Sequence, residues 1–262
     1  MIARWAKMLV AAATLLCGIA AADSIVATGV DGNAGGYGVW MNLNGTDQQA
    51  YFAGVLNIQL TDADGNTFNR DTMCVQLFTD IYLGQTYGTS VVLPNEVADA
   101  GALEQASWLL DNTLMPGQNG GATPSLVPSA DWVTTPAQGA GLQLAIWDLV
   151  ENGGDGFGAG TVQAGSAANP TDPTVLYWAE YYESLALIPG NASDDAFVYV
   201  NVNLGNGQPA QMLEGPEFVN DNGPQPQPEP GTLVLSGTAL VVLGFVGRRK
   251  AGMLMMGRSA KV

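Results

Sequence analysis

The sequence of 262 residues contains no histidine and only two cysteines. The absence of histidine excludes Ser–His–Asp and Cys–His catalysis and any metal site that needs an imidazole ligand. Two cysteines are too few for a cysteine-rich zinc site or an iron–sulfur cluster. No G-x-x-x-x-G-K-[ST] segment is present, so a phosphate-binding loop of that type is excluded as well.

Basic residues are scarce and unevenly placed. The chain has eight lysines and arginines against 24 acidic residues, and between residues 23 and 229 the only basic residue is Arg70. All the acidic residues lie in this stretch, which we call the body, so its net charge is close to −23. Such a surface repels nucleic-acid phosphates and anionic lipids, and no nucleic-acid partner is expected.

The first 22 residues have the features of a secretory signal peptide. Basic residues near the N-terminus precede an apolar run, and Ala20-Ala21-Ala22 follows it as a cleavage signal. Cys17 lies within this segment, so Cys74 is predicted to be the only cysteine of the exported protein. A single cysteine cannot form an intramolecular disulfide, although an exported protein meets an oxidising environment.

The C-terminal segment has a second targeting pattern. A Pro-rich spacer at 223–231 contains Pro228-Glu229-Pro230, and it is followed by the hydrophobic segment and basic tail of 232–262. This order of parts resembles the PEP-CTERM sorting signal of Gram-negative bacteria. The resemblance implies transient anchoring in the inner membrane through a C-terminal transmembrane helix, and processing by an exosortase-type peptidase. It also implies delivery to the cell surface or the extracellular biofilm matrix. The alternative is a plain C-terminal membrane anchor.

The domain at 23–222, which makes up nearly all of the body, is predicted to be mainly β with α. Short alternating runs and hairpin turns such as Asp64-Gly65 indicate strands, and spacings of three and four between apolar residues indicate helices. The order predicts a β-sandwich or barrel with an inserted helical subdomain at about 95–188. The predicted strands are 35–43, 50–60, 68–77, 196–204 and a last edge strand at 211–218; the predicted helices are 95–111, 136–150 and 174–187.

Gln143 is the polar residue that most needs an explanation. On a helix it shares one face with Ile146, Trp147 and Val150, so its amide is predicted to be buried. A buried amide without a partner costs about 1–3 kcal/mol. A hydrogen bond to the backbone is the usual solution.

Three segments together resemble the thioester domains of bacterial surface adhesins. They are residues 73–81 around Cys74, residues 106–111, and Gln143-Leu144-Ala145-Ile146-Trp147. In that family a cysteine sulfur displaces ammonia from a glutamine amide. The resemblance therefore implies a Cys74–Gln143 thioester, an acyl donor that reacts once with an amine-bearing surface or matrix molecule. Trp108 and Trp147 are the candidate shields, and the resemblance implies neither an enzyme nor a metal or other cofactor.

Two other functions remain open from the sequence. In a structural matrix protein, Cys74 and Gln143 would only pack or form hydrogen bonds. The other is a sugar-binding or calcium-dependent module of the exopolysaccharide matrix. Its two candidate motifs have simpler explanations. The acidic segment 62–66 is better explained as a hairpin turn, and the aromatic residues of 177–182 are better explained as helix packing. The absence of lysine from the body fits a protected acyl donor, but lysine-poor composition is also common in acidic exported proteins.

Overall fold

A computed structural model describes residues 23–35, 37–43, 45–115, 126–158, 160 and 162–216, with the backbone alone at 47–51. The chain divides into two compact units, Met1–Pro226 and Gln227–Val262, and all the described residues belong to the first. The predicted signal peptide, spacer and hydrophobic tail lie outside the described residues.

Six strands form a closed barrel in which every neighbouring pair is antiparallel. Side chains that alternate along these strands point into the barrel, and they make up about half of an apolar cluster that we call the barrel cluster. In order around the barrel the strands are β1 (Asp23–Val30), β4 (Leu56–Thr61), β5 (Thr67–Cys74), β9 (Leu213–Gly215), β8 (Phe197–Asn203) and β6 (Thr86–Val92).

The remaining elements are a small sheet and three helices. The sheet has the order β3 (Thr46–Ala53), β2 (Tyr37–Leu43), β7 (Val162–Gln163). The helices are α1 (Ala100–Thr113), α2 (Pro136–Asn152) and α3 (Pro173–Ala186), and short 3-10 turns lie at Pro94–Glu96 and Ser129–Asp131. All three helices fall between β6 and β8, which are neighbours in the barrel. The prediction of a mainly β protein with an inserted helical part is therefore confirmed.

Helix α2 is held in place by its ends and by two glycines. The Thr135 hydroxyl accepts a hydrogen bond from the backbone N–H of Gln138, and Gly153 ends the helix with a φ of 73°. A Cβ on Gly139 would lie 1.7 Å from the carbonyl oxygen of Ala34, and one on Gly141 would lie 2.5 Å from the Cβ of Trp178. Only glycine permits these approaches, which press α2 against the loop before β2 and against α3.

Three parts of the predicted strand pattern are wrong. The predicted strand 50–60 is two strands, because the chain turns sharply at Gly54, where φ is 141° and a Cβ would lie 2.8 Å from the carbonyl oxygen of Ala34. The predicted edge strand at 211–218 is β9, which lies between β5 and β8 rather than at an edge. Strands β1 and β6 were not predicted at all.

Candidate functional site

The candidate site lies where β5 extends past β4. Cys74 is the last residue of β5 and is paired with Leu213 of β9. On the other side of β5, β4 begins at Leu56, opposite Thr72, so none of the strands that the structure describes lies beside Cys74 there. The N–H of Val75 donates to the carbonyl oxygen of Met212 towards β9 (3.0 Å). Because backbone groups alternate along a strand, the N–H and C=O of Cys74 point away from β9, to the opposite edge of β5.

Gln143 of α2 fills this edge. The backbone N–H of Cys74 donates to Gln143 Oε1 (3.0 Å), and Gln143 Nε2 donates to the carbonyl oxygen of Cys74 (2.5 Å). Gln143 is 0% exposed and Cys74 is 6% exposed. The amide that the sequence left without a partner thus binds the backbone of the predicted cysteine. These two bonds hold the acyl carbon, Cδ, beside the residue whose sulfur would attack it.

A stripe of three side chains on α2 follows the chain from Cys74 to Leu77. Gln143, Trp147 and Glu151 are spaced by four residues and therefore lie on one helix face. Gln143 binds Cys74, and Glu151 Oε1 accepts the N–H of Leu77 (3.3 Å). The stripe holds α2 alongside the segment that leaves the barrel after β5.

The two predicted shields lie on different sides of β5. Trp147 belongs to the barrel cluster together with Cys74. Trp108 belongs to a second apolar cluster between the helices, the helix cluster, together with Met73 and Val75. Of the two, Trp147 is therefore the one that belongs to the same apolar cluster as Cys74.

The face predicted for α2 is narrower than the face that the structure buries. Ile146, which was predicted to share a face with Gln143, packs in the helix cluster together with Leu142 and Leu149. The helix is buried on nearly all sides, because α3, the small sheet and the barrel surround it. Helix periodicity alone could not reveal this.

The thiol of Cys74 is protected by its burial. Burial raises the pKa of the Cys74 thiol to about 12, so the group stays protonated at neutral pH. Since the thiolate is the species that is oxidised and alkylated, a buried neutral thiol tolerates an oxidising environment. Any attack by this sulfur must therefore include a transfer of its proton.

The arrangement is suited to acyl transfer within one buried pair. If Cys74 Sγ bonds to Gln143 Cδ, the C–N bond breaks and the thiol proton leaves with the nitrogen as ammonia. Oε1 stays on the acyl carbon, and the backbone N–H of Cys74 already donates to it. That N–H is thus placed to stabilise the negative charge that develops on Oε1 in the tetrahedral intermediate.

Sequence reasoning missed Glu214. This residue of β9 is 0% exposed, and within the described ranges neither carboxylate oxygen has a hydrogen-bond partner. Burial, and then the nearby charge of Asp111, raises the pKa of Glu214 well above its usual range. Glu214 is paired with Met73, so its side chain lies on the face of the sheet opposite to that of Cys74. The burial of Glu214 could not be predicted from the sequence, because a single acid in a three-residue strand belongs to no recognisable pattern.

The two motifs considered for calcium or sugar binding form hydrogen bonds and packing contacts within the fold. The Asp62 carboxylate accepts the backbone N–H groups of Asp64 and Asn66 in the turn between β4 and β5. On α3, Trp178 stacks on Tyr182 with ring centroids 5.6 Å apart, and both belong to the helix cluster or pack against it. Among the side chains that the structure describes, no group of three or more acids or cysteines could hold a metal ion.

No protein-family model, curated protein or solved structure matches this chain. Within the described residues, no helix combines the length and the apolar character needed to cross a membrane. The predicted C-terminal transmembrane helix lies outside those residues.

Proposed function

We propose that this protein is exported and attaches covalently, through a Cys74–Gln143 thioester, to amine-bearing molecules of the cell surface or extracellular matrix. The observation that carries the proposal is the pair of hydrogen bonds between the Gln143 amide and the backbone of Cys74. A buried glutamine has many possible backbone partners. Here its partner is the one cysteine outside the predicted signal peptide, as the resemblance to thioester domains implies.

The proposed reaction has two balanced steps. First, the sulfur of Cys74 bonds to Cδ of Gln143, and the amide nitrogen leaves as ammonia with the thiol proton. Second, an external amine bonds to the same carbon, the C–S bond breaks, and a proton passes from the amine to the sulfur. The product is a stable amide, so each molecule reacts once, and the protein is not an enzyme in the sense of multiple turnovers.

The surroundings of the pair favour the survival of an acyl donor. Cys74 is 6% exposed and Gln143 is 0% exposed, and Cys74 belongs to the barrel cluster together with Trp147 and Phe197, so little water reaches the pair. The body also lacks lysine, so it has no side-chain amine of its own that could consume the bond. An exported protein of this design would keep its thioester until it met a foreign amine.

Intact mass spectrometry tests the proposal. Thioester formation should lower the mass of the purified protein by one ammonia, about 17 Da. Treatment with methylamine should then raise it by about 31 Da, with one new thiol. Cys74→Ala and Gln143→Glu should abolish both changes. Gln138→Glu is the matched control, because it alters another buried amide of α2 that does not contact Cys74. A wild-type mass equal to that of the uncrosslinked chain, measured in fresh amine-free preparations, would reject the proposal.

A specific observation also favours a second function, that of a structural matrix protein. Both polar atoms of the Gln143 amide are satisfied by the backbone of Cys74 without any covalent bond. In this case the role of Gln143 would be structural, because its amide makes the hydrogen bonds to Cys74 that a neighbouring strand would otherwise make. This alternative predicts an unchanged mass and no reaction with methylamine, but the same loss of stability when Gln143 is truncated.

A further inference from the structure

The indole N–H of Trp147 is a buried donor for which the described residues supply no acceptor. Trp147 is 4% exposed, and its Nε1 has no hydrogen-bond partner in the parts of the chain that the structure describes. Buried N–H groups are nearly always paired, and an exception calls for an explanation. A phenylalanine would fill an apolar site without this penalty.

The position of Trp147 connects this donor with the candidate site. It lies between Gln143 and Glu151 on the stripe of α2, and both of those neighbours bind the segment from Cys74 to Leu77. Trp147 is one helical turn after Gln143 and shares the barrel cluster with Cys74. The middle member of the stripe therefore carries a buried donor one helical turn from the residue that supplies the proposed acyl group.

Loss of ammonia would change what surrounds the acyl oxygen. In the structure Oε1 accepts one hydrogen bond, from the N–H of Cys74, and Nε2 anchors the amide to the carbonyl oxygen of Cys74. In a thioester Nε2 is gone, so that anchor is lost and the acyl group can turn about the side chain. A carbonyl oxygen has a second lone pair, and a tetrahedral intermediate places a full negative charge on this atom.

We propose that the indole N–H of Trp147 and the backbone N–H of Cys74 together form the oxyanion hole of the thioester. Trp147 would donate to Oε1 of Gln143 in the thioester and more strongly in the tetrahedral intermediates that form and open it. This inference rests on the proposed function and assigns Trp147 a catalytic role beyond that of a shield.

The test compares Trp147→Phe with Trp132→Phe. Trp147→Phe keeps an aromatic ring and removes the donor, whereas Trp132→Phe removes an indole N–H that already donates to Val127 O. In Trp147→Phe protein that has lost ammonia, the second-order rate with methylamine should fall about 100-fold, the effect of removing one oxyanion donor. Trp132→Phe should react at the wild-type rate. A shield would behave oppositely, since its weakening should speed the reaction.

Infrared spectroscopy provides a readout that packing alone would not move. Loss of a hydrogen bond to the thioester carbonyl should raise its stretching frequency in Trp147→Phe but not in Trp132→Phe.

If Trp147→Phe fails to form the thioester, the NMR resonances of the indole N–H protons provide the test instead. One of them should move downfield in the wild-type protein relative to Cys74→Ala. An unchanged rate and carbonyl frequency, or no such shift, would overturn the role of Trp147 while leaving the thioester intact. A wild-type protein that never loses ammonia would overturn both proposals.

Discussion

The amide of Gln143 lies against the backbone of Cys74 as a neighbouring strand would, accepting from its N–H at 3.0 Å and donating to its carbonyl oxygen at 2.5 Å. One side chain of a helix thus completes the hydrogen bonding at the end of β5. The contact also brings the amide carbon of Gln143 to the residue that carries the thiol. Structural and chemical roles for Gln143 are therefore not exclusive, and they can be measured separately.

Truncation of Gln143 should destabilise the protein even without a thioester. In a Cys74→Ser background, which keeps the backbone but cannot form a thioester, Gln143→Ala leaves a buried N–H and a buried C=O without partners. We expect the free energy of unfolding to fall by about 3 kcal/mol. Urea unfolding measures this, and Gln163→Ala is the control, since the Gln163 amide donates to an exposed loop carbonyl, that of Gly160. A loss below about 0.5 kcal/mol would show that the contact is energetically unimportant.

The placement of α2 should depend on Gly139. In Gly139→Ala the new Cβ would lie 1.7 Å from a backbone oxygen, that of Ala34, so the helix must shift and carry Gln143 away from Cys74. We expect a loss of about 2–3 kcal/mol in the free energy of unfolding, and incomplete loss of ammonia by mass. Gly101→Ala on α1 is the matched control because nothing lies within 4 Å of its Cβ. It should stabilise the protein by up to about 1 kcal/mol. Complete loss of ammonia in Gly139→Ala would mean that the pair tolerates a displaced helix.

Much of this arrangement was predictable, and the exceptions have physical causes. The helical periodicity around Gln143 revealed a buried amide, and strands such as β8 were predicted from the alternation of apolar residues. Strand β6 (Thr86–Val92) was missed because threonine, serine and glycine interrupt its alternation. The division between β3 and β4 depends on the close approach of Gly54 to Ala34, a tertiary contact that local sequence does not encode.

Buried acids should make the protein more stable in mild acid than at neutral pH. Burial raises the pKa of Glu214 well above its usual range, that of Glu183 to about 7 and that of the partly buried Asp71 to about 6. Between the unfolded and the folded pKa of such a group, the native state binds more protons than the unfolded state. Stability therefore falls as pH rises through this window, by up to about 1.4 kcal/mol per pH unit and group.

Glu214→Gln tests this directly. The glutamine resembles the protonated acid but cannot ionise, so unfolding of the variant should depend less on pH. Chemical unfolding curves at pH 4 should show similar stability for the two proteins, and at pH 7 the variant should be the more stable. Equal slopes of stability against pH in both proteins would mean that Glu214 is not the group that titrates.

A lysine introduced near the site should react with the thioester of its own chain. Phe78 lies four residues after Cys74 and is 57% exposed, so Phe78→Lys places an amine on the segment that leaves the site. Attack on Gln143 would leave an internal amide, with the mass still lowered by one ammonia, a free Cys74 thiol and no further reaction with methylamine. Phe78→Arg is the matched control, because it adds the same charge without an amine that deprotonates at usable pH.

Leu83→Lys places a lysine at a second exposed position of the same loop. It is included in case a lysine at residue 78 cannot reach Gln143. Alkylation of the unfolded chain counts the free thiol, and methylamine incorporation counts the thioester that remains. In the arginine variant both should match the wild-type protein. If both lysine variants also keep the wild-type methylamine incorporation, the absence of lysine from the body does not protect the acyl donor. Its lysine-free composition would then be a consequence of acidic surface composition alone.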